Sequence, residues 1–265
     1  MEKRLNGKIA IVTGGAGGIG RASARRFAAE GAVVYVNDVK QEGIEAVAAE
    51  IVAQGGRAIP HLADVTSADE VQRMVDRAVA EHGRLDILFN NAGGALPKPT
   101  HESSVEEYRR IISLNLDGVY HGVHAALPVM MRQKNGVILA TSSGAGLNAV
   151  PGLAAYGAAK AGVISLMRNI AVEYGHLGIR ANAIAPGPML TAGFQAWLDT
   201  LPGGGASFAR QVPSGRLGTP EDIAIAAAFL ATDEAFFING ATIPVDGAIS
   251  ARLASPREDI VFLDK

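Results

Sequence analysis

The chain has 265 residues, 48% of them hydrophobic, with 32 glycines, no cysteine and a net charge of −2. That length suits one α/β domain with a sizeable core, and the balanced charge gives no electrostatic case for a nucleic-acid or membrane partner. The lack of cysteine excludes disulfides and thiolate chemistry.

The first apolar run, 8–13, leads into the glycine-rich stretch Thr13 to Gly20 and then a helical stretch over 18–30. Glycines there allow a tight turn and close backbone approach to a phosphate, and the helix N-terminus adds free N–H groups and positive dipole. The spacing Gly14-x-x-x-Gly18-x-Gly20, with Gly17 and Ile19 between, is not the usual dinucleotide fingerprint, although the strand-then-helix context is the one that fingerprint requires. A second strand over 32–37 ends in Asp38, about 20 positions beyond the turn, where an adenosine ribose is read. A carboxylate there accepts from both ribose hydroxyls and repels a 2′-phosphate, which favours NAD over NADP. A helix over 41–54, a strand over 57–62 ending at Asp64-Val65, a helix capped by Ser67 and running to His82, and a strand over 85–90 follow. That fourth strand closes with Asn90-Asn91-Ala92-Gly93, small and amide residues that suit a cofactor crossing a sheet edge.

Residues 103–132 read as one long helical stretch holding Asn115 among apolar neighbours, either as a helix-bending residue or as a site-lining amide. His121 and His124 lack a third ligand at a recognisable spacing, so no metal is expected. The fifth strand, 137–140, delivers Ser142 and Ser143 to its carboxyl end, and a helix from near Ala154 carries Tyr156 and Lys160. Four residues on a helix give about 6 Å of rise on nearly one face. An ammonium about 4 Å from the phenol at an effective dielectric of 20 contributes roughly 4 kcal/mol, or about three pKa units, towards the phenolate. A tyrosine so placed exchanges a proton with an alcohol or carbonyl near neutral pH; the bland alternative is a lysine stem lying along a ring.

A sixth strand, 180–185, precedes Pro186-Gly187-Pro188-Met189-Leu190-Thr191. The least regular stretch, 192–218, has three consecutive glycines and is a lid candidate, taken as 188–218. A helix over 220–231 with Thr219 as N-cap and a seventh strand over 242–245 complete the pattern, and 248–265 form a tail without an assignment. The helical run 223–231 is half of the ~18 apolar residues a membrane span requires, and the N-terminal run is too short for a signal peptide. The expectation is a cytoplasmic protein of one domain over 1–265, a Rossmann-like, doubly wound parallel sheet of seven strands with helices on both faces.

By its ordered motifs the chain resembles the single-domain branch of the short-chain dehydrogenase/reductase family. The resemblance covers about residues 5–247 and rests on Thr13-Gly14-x-x-x-Gly18-x-Gly20, Asp64, Asn90-Asn91-Ala92-Gly93, Asn115, Ser143, Tyr156-x-x-x-Lys160 and Pro186-Gly187 with Thr191. It implies Tyr156 as general acid/base, Ser143 orienting the substrate oxygen, and Lys160 holding the nicotinamide ribose. Asn115 would support a proton-relaying water. Asp64 and Val65 would lie along the adenine, Asn91, Ala92 and Gly93 near the adenosine ribose, and Pro186, Gly187, Met189 and Thr191 near the nicotinamide carboxamide. Family members are mostly homotetramers or dimers joined through the helices holding Asn115 and Tyr156. Gly17 stands where relatives have serine, or arginine when they use NADP.

The leading function is an NAD-dependent oxidoreductase interconverting a secondary alcohol and a ketone. An NADPH-dependent 3-oxoacyl carrier-protein reductase is the rival enzyme, and a non-catalytic nucleotide-binding regulator the rival of another class. The candidate pocket residues Leu96, Ala145, Leu147, Leu190, Phe194 and Trp197 are mostly apolar and suggest an uncharged cyclic or aromatic alcohol.

Overall fold

The structure, a computed structural model, describes residues 3–252. Seven parallel strands form one sheet in the order β3-β2-β1-β4-β5-β6-β7, made of β1 (Ile9–Thr13), β2 (Val33–Asp38), β3 (Arg57–Leu62), β4 (Ile87–Asn90), β5 (Gly136–Thr141), β6 (Ile179–Pro186) and β7 (Thr242–Val245). β1, β4, β5 and β6 are buried along their whole length, which is why they read as continuous apolar runs rather than alternating ones. Their pleat divides the apolar side chains between two cores. Ile9 and Ile11 point to one face, covered by α3 (Ala68–His82), α5 (Gly118–Gln133) and α6 (Ala154–Tyr174). Ala10 and Val12 point to the other, covered by α1 (Gly18–Ala29), α2 (Gln41–Ala53) and α9 (Pro220–Ala231). The strand order reverses between β1 and β4, the switch point at which ligands of open α/β sheets bind.

Two expectations need correction. The single helix over 103–132 is instead a 3₁₀ turn (Thr100–Glu102), α4 (Val105–Ile112), a π-helical turn (Ser113–Asp117) and α5. The start is set by Ser104, whose hydroxyl accepts from Glu107 N–H while the Glu107 carboxylate accepts from Ser104 N–H. The wide turn sits at Asn115, whose amide donates to the Ile111 carbonyl at 3.0 Å and so replaces a backbone donor there. The irregular stretch 192–218 contains two short helices, α7 (Ala192–Leu198) and α8 (Gly204–Ala209). They pack over a small core of their own, with Leu198, Val212 and Leu217 buried beneath Phe194 and Phe208. Other boundaries shift by a residue or two. Ser67 caps α3, and the capping box of Thr219 and Asp222 opens α9 with Pro220 in its first turn. Of the tail, 249–251 form a single turn and 253–265 lie outside the described residues. No helix among the described residues is long and apolar enough to cross a membrane.

Candidate active site

The carboxyl ends of β1, β2, β4, β5 and β6 bring the sequence-derived candidates to one rim of the sheet. After β1 the chain turns at Gly14, with φ +65°, so closely that a Cβ there would lie 2.9 Å from the Ala92 Cα. A Cβ on Gly20 would collide with the Gly14 carbonyl. These two glycines are required by packing. Gly17 is different, because a Cβ there would meet nothing within 4 Å among the described residues. It caps α1, whose first turn carries no acidic residue, so the positive end of the helix dipole faces open space beside Gly17 and Ile19. Asp38, at the tip of β2, bends back over this turn and accepts from Ala16 N–H at 3.2 Å through one oxygen and from Val39 N–H at 2.9 Å through the other. The turn, the helix end and the carboxylate together fit a dinucleotide, phosphates over the glycines and a ribose at Asp38.

Asp64 closes its own turn, accepting from the Thr66 N–H and hydroxyl at 2.8 Å each. Val65 is buried, and its carbonyl is 2.9 Å from the His121 Nδ1. His124 is exposed and stacks on Tyr120. Among the described residues no group of three or more His, Cys, Asp or Glu could hold a metal ion. Asn91 spends its side chain within the sheet rim. Its amide donates to the Thr13 carbonyl at 3.1 Å, and its oxygen accepts from the Thr141 hydroxyl at 3.0 Å. Thr13 in turn accepts from Asn91 N–H and Ala92 N–H at 2.9 and 3.0 Å. Thr13 and Thr141 thus hold the β4 end in position, a role with no signal in the sequence beyond their adjacency to the glycine turn and the serines.

Asn115 is fully buried and grips the loop following β4: its amide donates to the Gly94 carbonyl at 2.8 Å and its oxygen accepts from Gly94 N–H at 3.1 Å. A Cβ on Gly93 would meet that oxygen at 2.6 Å and the Lys160 Nζ at 3.1 Å, so Asn115, Gly93 and Lys160 converge. Lys160 is 2% exposed. Its ammonium donates to the Thr141 carbonyl at 2.8 Å and lies 5.5 Å from the Tyr156 ring centroid. Burial pushes its pKa down to about 8. Burial also holds the Tyr156 phenol above its ordinary value, against a smaller opposing pull from Ser143. The expected lowering of the phenol by Lys160 is therefore absent in this arrangement, because the ammonium sits over the ring and is committed to a carbonyl. Ser143 leaves β5 in extended conformation, and its hydroxyl accepts from Ala145 N–H at 3.1 Å.

Pro186 ends β6, Gly187 fits against Asp246 with room for no Cβ, and Met189 is buried where it bridges to Gly218. Thr191 caps α7 and stands next to Gly18, so the glycine turn and the 188–218 segment meet there.

A cavity of about 250 Å³ opens from Tyr156 towards α4, walled by Leu96, Lys98, Glu107, Tyr108, Ile111 and Leu153 among others. Of the six lining candidates Leu96 is on this wall. Ala145 and Leu147 lie on the turn after Ser143, Leu190 is half exposed, and Phe194, Trp197 and Phe208 pack together at ring distances of 5.3 to 5.8 Å. Sequence reasoning missed Lys98 and Glu107; the capping-box spacing of Ser104 and Glu107 was the available signal.

The family model described as enoyl-(acyl carrier protein) reductase matches residues 14–250. The cis-4-hydroxycyclohexanecarboxylate dehydrogenase of Sinomonas cyclohexanicum is 44% identical over 95% of this chain and 100% of that protein. The 3-oxoacyl-[acyl-carrier-protein] reductase of Thermotoga maritima is 36% identical over 93% of this chain and 99% of its own length. The solved structure of a 7α-hydroxysteroid dehydrogenase complexed with NADH and 7-oxo glycochenodeoxycholic acid superposes with a TM-score of 0.88 at 37% identity, covering 93% of this chain and 95% of that one. The chain belongs to the short-chain dehydrogenase/reductase family, whose members are NAD(P)-dependent oxidoreductases.

Proposed function

We propose that the protein is an NAD-dependent oxidoreductase that interconverts a secondary alcohol and a ketone, with Tyr156 as general acid/base. One observation carries this reading: a buried lysine lies against a half-buried tyrosine, with Ser143 at the phenol and Asn115 behind the lysine. Two ionisable groups withdrawn from water at a cleft are costly to keep for packing alone. Bound NAD supplies the hydride acceptor at the nicotinamide. Tyr156 then takes the hydroxyl proton during oxidation and returns it during reduction. Ser143 holds the substrate oxygen, Lys160 holds the ribose next to the phenol, and Asn115 supports a water that relays protons from Lys160. The 188–218 segment closes over the site as the lid of a single domain. Two apolar surface patches support a homotetramer.

NAD is favoured over NADP because Asp38 already occupies the ribose end of the glycine turn as a carboxylate. Titration with NADH and NADPH, followed by the fluorescence of the sole tryptophan, Trp197, checks this, and tighter NADH binding is expected. Asp38→Ala is expected to lose that discrimination and to accept NADP better; unchanged discrimination would mean that the ribose is read elsewhere. The similarity to a 3-oxoacyl carrier-protein reductase supports the second reading. A preference for NADPH with turnover of 3-oxoacyl thioesters would establish it instead.

A further inference from the structure

The cavity that begins at Tyr156 has a second chemical pole. Most of its wall is apolar, but Lys98 and Glu107 also stand on it. The Lys98 Nζ donates to both Glu107 carboxylate oxygens, at 3.1 and 3.0 Å. Each partner is fixed independently: one Glu107 oxygen accepts from Ser104 N–H at 2.8 Å, and Lys98 N–H donates to the Gly152 carbonyl at 2.9 Å, in the loop leading to α6. The two side chains are 35% and 30% exposed, a setting in which an ion pair contributes little to stability. The capping box at the start of α4 accounts for Glu107, but folding gives Lys98 little reason to stand on the wall of an apolar pocket.

Its chemistry is defined by what the pairing leaves over. The ammonium has a third proton not directed at Glu107, and the carboxylate has lone pairs beyond those it uses. The pair is neutral overall. An uncharged hydroxyl or carbonyl oxygen can use the spare donor, and a hydroxyl can also use the spare acceptor. A carboxylate would gain Lys98 but face the Glu107 charge at the same distance.

We propose that Lys98 and Glu107 are specificity-determining residues that bind a second, uncharged oxygen of the substrate, which is therefore a small ring compound with two oxygen functions, a diol, hydroxyketone or diketone. One oxygen reacts at Tyr156 and the other is held by the pair. The cavity, at about 250 Å³, lies below the ~300–1,000 Å³ usual for small-molecule sites. It admits one ring rather than a fused system. This inference rests on the oxidoreductase reading above.

The test compares kcat/KM for cyclohexanol, cyclohexane-1,4-diol and 4-hydroxycyclohexanecarboxylate, with NAD and with NADP, in the wild type and in Lys98→Met. The wild type should prefer the diol over cyclohexanol by about tenfold or more, as a hydrogen bond to a charged group implies. Lys98→Met should bring that ratio close to one, with the loss falling on KM. Glu107→Gln, which keeps an oxygen for Ser104 N–H, should lower the ratio as well. A diol-to-cyclohexanol ratio unaltered by Lys98→Met would overturn the inference, since a merely structural pair would behave so. Preference for the carboxylate, abolished in Lys98→Met, would also overturn it, in favour of an anion site. Oxidation of cyclohexanol without diol preference sinks this inference alone. Oxidation of none of the three by folded protein with either cofactor sinks the oxidoreductase reading and this inference with it.

Discussion

Burial and hydrogen bonding act in opposite directions on the Tyr156 phenol, and burial prevails, so the group is a weak acid poised above its ordinary pKa. The sign of the pH dependence follows. Alcohol oxidation needs the phenol deprotonated, so its kcat/KM should rise with pH, by about tenfold per unit while pH stays below that pKa. Ketone reduction uses the protonated phenol and should stay level over the same range. Lys160, with its pKa held at about 8, loses its charge within that range, which flattens the rise in oxidation above pH 8. A pH profile measured in both directions checks this, and an oxidation rate that peaked on the acid side would contradict it. Tyr156→Phe should lose turnover while still binding NADH, because the ring packs as before and only the proton carrier is gone. Near-normal rates in that variant would overturn the mechanism. Residue identities here were legible, since Ser143, Tyr156, Lys160 and Asn115 stand in the sequence at recognisable spacings. The electrostatics were not, because four residues on a helix fix a shared face but not where a flexible ammonium ends. The Thr141 carbonyl that captures it belongs to another element.

Among the elements, the β1–α1 turn shows how two glycines in one motif can be present for different reasons. Gly20 has no space for a side-chain atom, since the Gly14 carbonyl occupies it, whereas Gly17 faces open space with extended backbone. Gly20→Ala should therefore destabilise the fold by about 1–3 kcal/mol, the usual cost of forcing a methyl into a packed position. Gly17→Ala should melt as the wild type does. Thermal denaturation of the two variants side by side checks the contrast, and equal melting temperatures would remove it. Strand order and helix alternation were readable because buried parallel strands leave continuous apolar runs between turn residues. The break at Asn115 was not. Its neighbours keep helical periodicity across the π turn, and only the hydrogen bonds of one amide to Gly94 and Ile111 mark the change. The cavity wall was equally hidden, because Leu96, Glu107 and Tyr156 come from three segments that the sheet alone brings together.

For the whole molecule, the surface left uncovered by the two-sided core bears on assembly. On α5, Tyr120 and Met131 are exposed aromatic and apolar side chains. A second group lies on α9 and the turn after it, where Ile225, Phe229, Phe236 and Phe237 are exposed, Phe237 by 97%. A free-standing chain gains nothing by leaving phenylalanines in water, at about 25 cal/mol per Å² of apolar surface. Each patch can meet its own copy about a two-fold axis, and two distinct isologous contacts combine into a closed tetramer, whereas one alone gives a dimer. The expected state in solution is therefore a homotetramer, measurable by sedimentation equilibrium. Tyr120→Glu should reduce it to a dimer that is held by the α9 patch, and Phe237→Glu to one held through α5. The double variant should sediment as a monomer, because a buried unpaired carboxylate at each interface leaves neither contact favourable. A monomeric wild type would show that both patches serve something other than self-association, and a dimer that survives the double variant would move the interface to a different face.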